Sequence, residues 1–83
     1  MRFIDTSDNI IYDTNKMELI SSIQKTDSVT KLYKTVTNTY FIVQGVLLGC
    51  TKMYKLEEYE VREFLAEYDI DAYIRLFNPK EGE

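Results

Sequence analysis

The pattern of apolar and polar positions divides the chain into two parts with different periods. Near its start, Arg2–Asp5 and Ile10–Tyr12 are short β-prone segments, and Thr6-Ser7-Asp8-Asn9 between them is rich in turn formers. Asp13 or Thr14 can cap a helix beginning at Asn15. In that stretch Met17, Ile20 and Ile23 recur near helical spacing with Leu19 alongside, which predicts a short helix over Asn15–Ile23, although Ser21 and Ser22 are indifferent helix formers. Gln24–Ser28 reads as a loop. Over Thr30–Val36, Leu32 and Val36 oppose Lys31, Tyr33 and Thr35, the alternation of a half-buried strand. Tyr40–Leu48 is β-prone and mostly apolar. Thr37-Asn38-Thr39 links the two, with Asn38 the residue best able to take positive φ, and so short a link requires an antiparallel hairpin. Gly49 is placed to bulge or end the second strand, and Thr51–Lys55 to add another.

From Glu57 onward the period changes. Val61, Phe64, Leu65 and Tyr68 fall at i, i+3, i+4 and i+7, one helical stripe. Ile70, Tyr73 and Phe77 repeat the spacing after Asp69, which suits a break or cap, and Asn78-Pro79 ends the second helix. The expected architecture is α+β, a small antiparallel sheet of 3–5 strands with C-terminal helices packed on one face, and residues 1–83 form a single domain.

Composition narrows the chemistry. The chain has 83 residues, no histidine, no tryptophan and one cysteine. Ser-His-Asp and Cys-His catalysis, histidine metal ligands, an internal disulfide and a zinc finger are therefore all excluded. No glycine-rich phosphate loop is present. The dense carboxylate pairs, Glu57/Glu58 and Asp69/Asp71, read as helix-end residues rather than acid–base or metal pairs, and Asp69 and Asp71 suit a helix N-terminus. Cys50, beside Gly49 in a β-prone segment, reads as structural. No enzyme activity, cofactor or metal is expected. The opening Met1–Asp5 lacks the apolar core of a signal peptide, and Phe41–Leu48 is too short for a membrane span, so a cytoplasmic protein without membrane contact is expected.

The net charge of −4 conceals a division: residues 1–55 carry 5 acidic and 7 basic side chains, and residues 56–83 carry 9 acidic and 3 basic. Glu60, Glu63 and Glu67 project from one side of the first C-terminal helix, beside its apolar stripe, and Asp69 and Asp71 continue the acidic run. Glu58 has Arg62 at i+4, whereas the Glu60/Glu63/Glu67 row has no such partner within the helix. Two readings stand side by side. One is a solvated face that maintains solubility; the other is a recognition surface for a basic partner, with Tyr59, off the apolar stripe, as an exposed anchor. Direct nucleic-acid binding is disfavoured, since only Lys31/Lys34 and Lys52/Lys55 are closely spaced. Tyr33 and Tyr40, which could stack bases, read as sheet packing.

Three segments are familiar together: Ile11-Tyr-Asp-Thr14; Leu32-Tyr-Lys-Thr35 running through Thr39-Tyr-Phe-Ile42 to Gly45; and Leu56-Glu-Glu-Tyr-Glu-Val-Arg-Glu-Phe64, with Tyr73 and Phe77 closing the chain. The pattern resembles a family of small proteins carried by phages and mobile elements of Firmicutes. Thr39 stands where that family has a hairpin glycine, Glu57 where it has a serine cap, and Phe64 where it has tryptophan. The loop after the hairpin is also shortened, to Gly45–Lys55. The motif residues are framework and transfer no site. The resemblance implies an accessory protein of a mobile element, and such proteins include many anti-CRISPR inhibitors. The leading expectation is a stoichiometric inhibitor that binds the basic surface of a Cas effector through Tyr59, Glu60, Glu63, Glu67, Asp69 and Asp71, as a monomer or weak homodimer. Alternatives are a self-associating accessory protein using an open sheet edge and a small nucleic-acid-binding module.

Overall fold

Within each of its two sheets, strands that follow one another along the chain pair antiparallel. A computed structural model of the chain describes residues 1–46 and 51–82. Its elements are β1 (Arg2–Asp5), β2 (Ile10–Asp13), a single 3-10 turn (Thr14–Lys16), β3 (Glu18–Gln24), β4 (Ser28–Lys34), β5 (Tyr40–Val46), β6 (Lys52–Leu56), α1 (Glu58–Tyr68) and α2 (Ile70–Phe77). β3-β4-β5-β6 form a four-stranded meander, and β1-β2 form a separate two-stranded sheet. The α+β architecture matches the expectation. The end of the predicted second strand at Leu47–Leu48, the bulge at Gly49 and structural Cys50 lie outside the described residues.

The central hairpin turns where expected. Asn38 adopts φ 63°, and its N–H donates to the Thr35 carbonyl at 3.0 Å. The Thr39 N–H adds a bond to Thr35 Oγ1 at 3.0 Å. An asparagine in the left-handed region thus serves where glycine is the usual choice. β4 ends at Lys34, however, so Val36 leaves the alternation and is 91% exposed.

The helix predicted over Asn15–Ile23 does not form. Asp13 caps one 3-10 turn, accepting the Asn15 N–H at 3.0 Å, and the chain then enters β3. The register against β4 shifts between Leu19 and Ser21, a β-bulge. A bulge inserts one residue and reverses the parity of the residues beyond it. Ile20 packs on the main core and Ser21 bonds to Asp69, so both turn toward the helices, and Ile23 continues on the same side. The spacing i, i+3 that suggests a helix is the signature of this irregular strand.

The main core lies between the meander and the helices: Leu32, Val61 and Leu65 are fully buried beside Ala72, with Ile20, Tyr40, Ile42, Leu56 and Phe77 packed around them. Burial of each of those three large side chains contributes about 1.5–3 kcal/mol. On α2 the buried position is Ala72. Ile70, expected to start the apolar stripe, is 64% exposed, because Asp69 reorients the chain between the helices.

The opposite face of the sheet is covered as well. Phe3 and Tyr12 of the β1-β2 hairpin stack on each other and contact Phe41, with ring centroids 5.2 and 4.6 Å from it. Lys55 pairs with Asp8 at 3.3 Å. Phe41 and Val43 are therefore buried on one side of β5 while Ile42 packs on the other, which accounts for the continuous apolar run. Register also separates the two tyrosines weighed as a stacking pair. Tyr33 faces Phe41 and Tyr40 faces Lys34, so they lie on opposite faces of the sheet.

Candidate interaction surface

α1 begins with a reciprocal cap. Glu57 is the N-cap, and the carboxylate of Glu60 accepts its N–H at 3.0 Å. Satisfying that backbone donor gives Glu60 a structural task. Opposite the carboxylates, Arg62 pairs with Glu58 at 3.0 Å, lies 4.2 Å from the centroid of Phe77 and donates to the Tyr73 hydroxyl at 3.4 Å. These bonds hold the guanidinium of Arg62 further into its charged form and fasten α1 to α2.

Asp69 is the other residue claimed by the fold. Its Oδ2 accepts the hydroxyl of buried Ser21 at 2.6 Å, and its Oδ1 accepts the Ala72 N–H at 3.1 Å, capping α2. The Ser21 bond first, then the Ala72 bond, lower the pKa of Asp69, and nearby Arg75 adds to the effect. The half-buried carboxylate ties β3, α1 and α2 together at one point.

The six expected contact residues thus divide. Glu60 and Asp69 make the bonds that build the helical hairpin. Tyr59 is 64% exposed, and Glu63, Glu67 and Asp71 are exposed and form no ion pair among the described residues. Glu67 lies in the last turn of α1, which contains no basic side chain. A carboxylate there opposes the helix dipole, so its placement costs stability unless something outside the helix compensates.

The basic side chains are dispersed. Lys31 pairs with Val43 and Lys34 with Tyr40, on opposite faces of β4, and Lys34 also bonds Glu18 at 3.6 Å. Lys52 and Lys55 likewise point to opposite sides of β6. Spacing of three along a strand reverses the face, so the two apparent lysine clusters do not merge.

Sequence reasoning missed a cleft that opens along the carboxylate side of α1. About 270 Å³ in volume, it is lined by Phe64 and Tyr68 of α1, Ile42 and Gln44 of β5, Tyr54 of β6, and Lys25 from the β3-β4 turn. The stripe that predicts the helix contains both Phe64 and Tyr68, and Phe64 does pack against the core. Tyr68 is in fact 46% exposed, with the Lys25 ammonium 5.4 Å from its ring centroid. Among the described residues no group of three or more acidic or cysteine side chains could hold a metal ion, and no helix is long and apolar enough to cross a membrane. No protein-family model, curated protein or solved structure matches the chain.

Proposed function

We propose that the protein acts by binding rather than by chemistry, as a stoichiometric inhibitor that lays the Tyr59, Glu63 and Glu67 face of α1, with Asp71 nearby, against a basic, nucleic-acid-binding surface of a larger protein. The observation that carries this reading is the pair of exposed, unpaired carboxylates Glu63 and Glu67, the second kept at a helix end where it opposes the dipole. Negative charge on a rigid helix speeds encounter with a basic groove and competes with the phosphates that groove would hold. The resemblance to mobile-element proteins makes a Cas effector the first partner to test, as in anti-CRISPR inhibition within a bacterial host cytoplasm.

The test is retention of purified Cas effectors, with and without guide RNA, on the tagged protein at low and high salt. Retention that is lost as salt rises, and lost in Glu63→Lys/Glu67→Lys with the fold unchanged, is the expected result. Glu60 is left intact because its reversal would break the α1 cap. Retention unaffected by the double reversal would sink the surface assignment. A self-associating accessory protein is the second reading, favoured by cross-strand neighbours Ile4 and Ile11, 60% and 57% exposed on the outer face of the β1-β2 hairpin. Sedimentation as an obligate oligomer would select it.

A further inference from the structure

We infer that the Phe64/Tyr68/Tyr54 cleft receives a single large apolar side chain of the partner, set in a segment of lysines and arginines. This deepens, and rests on, the reading of α1 as a contact face for a basic protein. Binding energy at interfaces concentrates where an aromatic or aliphatic anchor fills a desolvated pocket surrounded by polar contacts. A charged helix face alone would supply steering but little affinity.

The cleft has the form such an anchor requires. Ile42 forms part of its floor, and the rings of Phe64, Tyr68 and Tyr54 stand around it. Tyr54 and Tyr68 remain 47% and 46% exposed, so a large aromatic area is still in water. A volume of about 270 Å³ lies at the lower edge of the roughly 300–1,000 Å³ usual for small-molecule sites. Lys25, Thr30 and Gln44 line the cleft beside the tyrosine rings, and among the described residues no buried side-chain polar atom waits unpaired for a polar ligand.

The charge around the cleft selects the flanks of that side chain. Viewed down α1, Glu60 lies about 40° and Glu67 about 60° from Phe64, with Glu63 beyond them. An anchor seated on Phe64 and Tyr68 therefore carries its neighbours over the carboxylates. Lys25, at the far end, already places an ammonium on the Tyr68 ring. That ring face accepts a cation, and an arginine beside the anchor can take the same position once exposed Lys25 swings away.

The chain contains no tryptophan, so a tryptophan in a peptide reports its own environment without background. The probes are a lysine/arginine peptide with one central tryptophan and the same peptide with alanine at the centre. Each is titrated into the full chain at low salt, read by tryptophan emission and backbone amide shifts. We expect a blue shift with the tryptophan peptide, amide shifts at Ile42, Tyr54, Phe64 and Tyr68, and about tenfold weaker binding of the alanine peptide. Tyr54→Ala and Tyr68→Ala, at half-exposed positions, should each remove most of that advantage. Lys25→Ala should strengthen both peptides by removing a like charge. Equal affinities with shifts confined to Glu63 and Glu67 would overturn the cleft assignment while leaving the acidic face standing. Tryptophan insertion that is undiminished in Glu63→Lys/Glu67→Lys would overturn the basic flanks. No shift at the glutamates with either peptide would overturn the acidic-face reading itself.

Discussion

Removing Asp69 tests the junction on which both helices depend. Asp69→Ala deletes the α2 N-cap bond to Ala72 and leaves the hydroxyl of Ser21, only 5% exposed, without its partner. A lost cap costs about 1 kcal/mol, and an orphaned buried hydroxyl about 1–3 kcal/mol. The expected loss is therefore about 2–4 kcal/mol, or roughly 8–32 °C in Tm for a domain of this size. Asp69→Asn keeps a neutral acceptor and should lose about half as much. Ser21→Ala alone removes the hydroxyl together with its need for a partner and should cost about 1 kcal/mol. Urea unfolding of the two single variants and of Ser21→Ala/Asp69→Ala closes a double-mutant cycle, and a coupling of at least about 1 kcal/mol is expected. Losses that simply add would refute the claim that the 2.6 Å bond is an energetic link between β3 and the helices. The same carboxylate predicts a pH dependence. Its pKa is lower in the folded chain than its unfolded value of about 3.9, so its contribution is complete above that pH and disappears as pH falls through the folded value. Asp69→Asn should flatten this acid limb of the stability curve.

Other outcomes rest on the same geometry. Leu65→Ala, at a fully buried position, should cost about 2–5 kcal/mol, read as a lowered urea midpoint by circular dichroism. Phe41→Ala should loosen the β1-β2 hairpin from the sheet, seen as faster amide exchange at Phe3 and Tyr12 than in β4. Asn38→Gly should hold or slightly raise the urea midpoint, whereas Asn38→Val should lower stability by about 1–2 kcal/mol because φ is 63°. Glu67→Lys should leave the protein as stable or a few tenths of a kcal/mol more stable while weakening partner retention. Loss of both together would mean that Glu67 is structural.

What local chemistry governs was legible from residue order. The period change at Glu57, the turn at Asn38 and the break at Asp69 each depend on a few neighbours along the chain: a stripe, a left-handed φ, a capping carboxylate. The predicted helix over Asn15–Ile23 failed because a bulged strand and a short helix place apolar residues alike, and only pairing with β4 distinguishes them. Of the candidate contact residues, Tyr59, Glu63, Glu67 and Asp71 remain at the surface as spacing on the helices implied. Glu60 and Asp69 were drawn into caps and a bond to Ser21, a residue 48 positions away in sequence from Asp69.

By itself, then, the sequence determined that the chain is an α+β domain with antiparallel strands and two capped helices, that its acidic charge gathers at the helical end, and that histidine-based chemistry is impossible. Tertiary structure alone decided that the β1-β2 hairpin closes the second face of the sheet, that neighbouring lysines part to opposite faces, and that Tyr68, Phe64 and Tyr54 converge on an open cleft. The physical reason is range. Propensity, capping and charge act between near neighbours, whereas a cleft and a covered sheet face exist only once strands distant in sequence set the register that decides which side each ring faces.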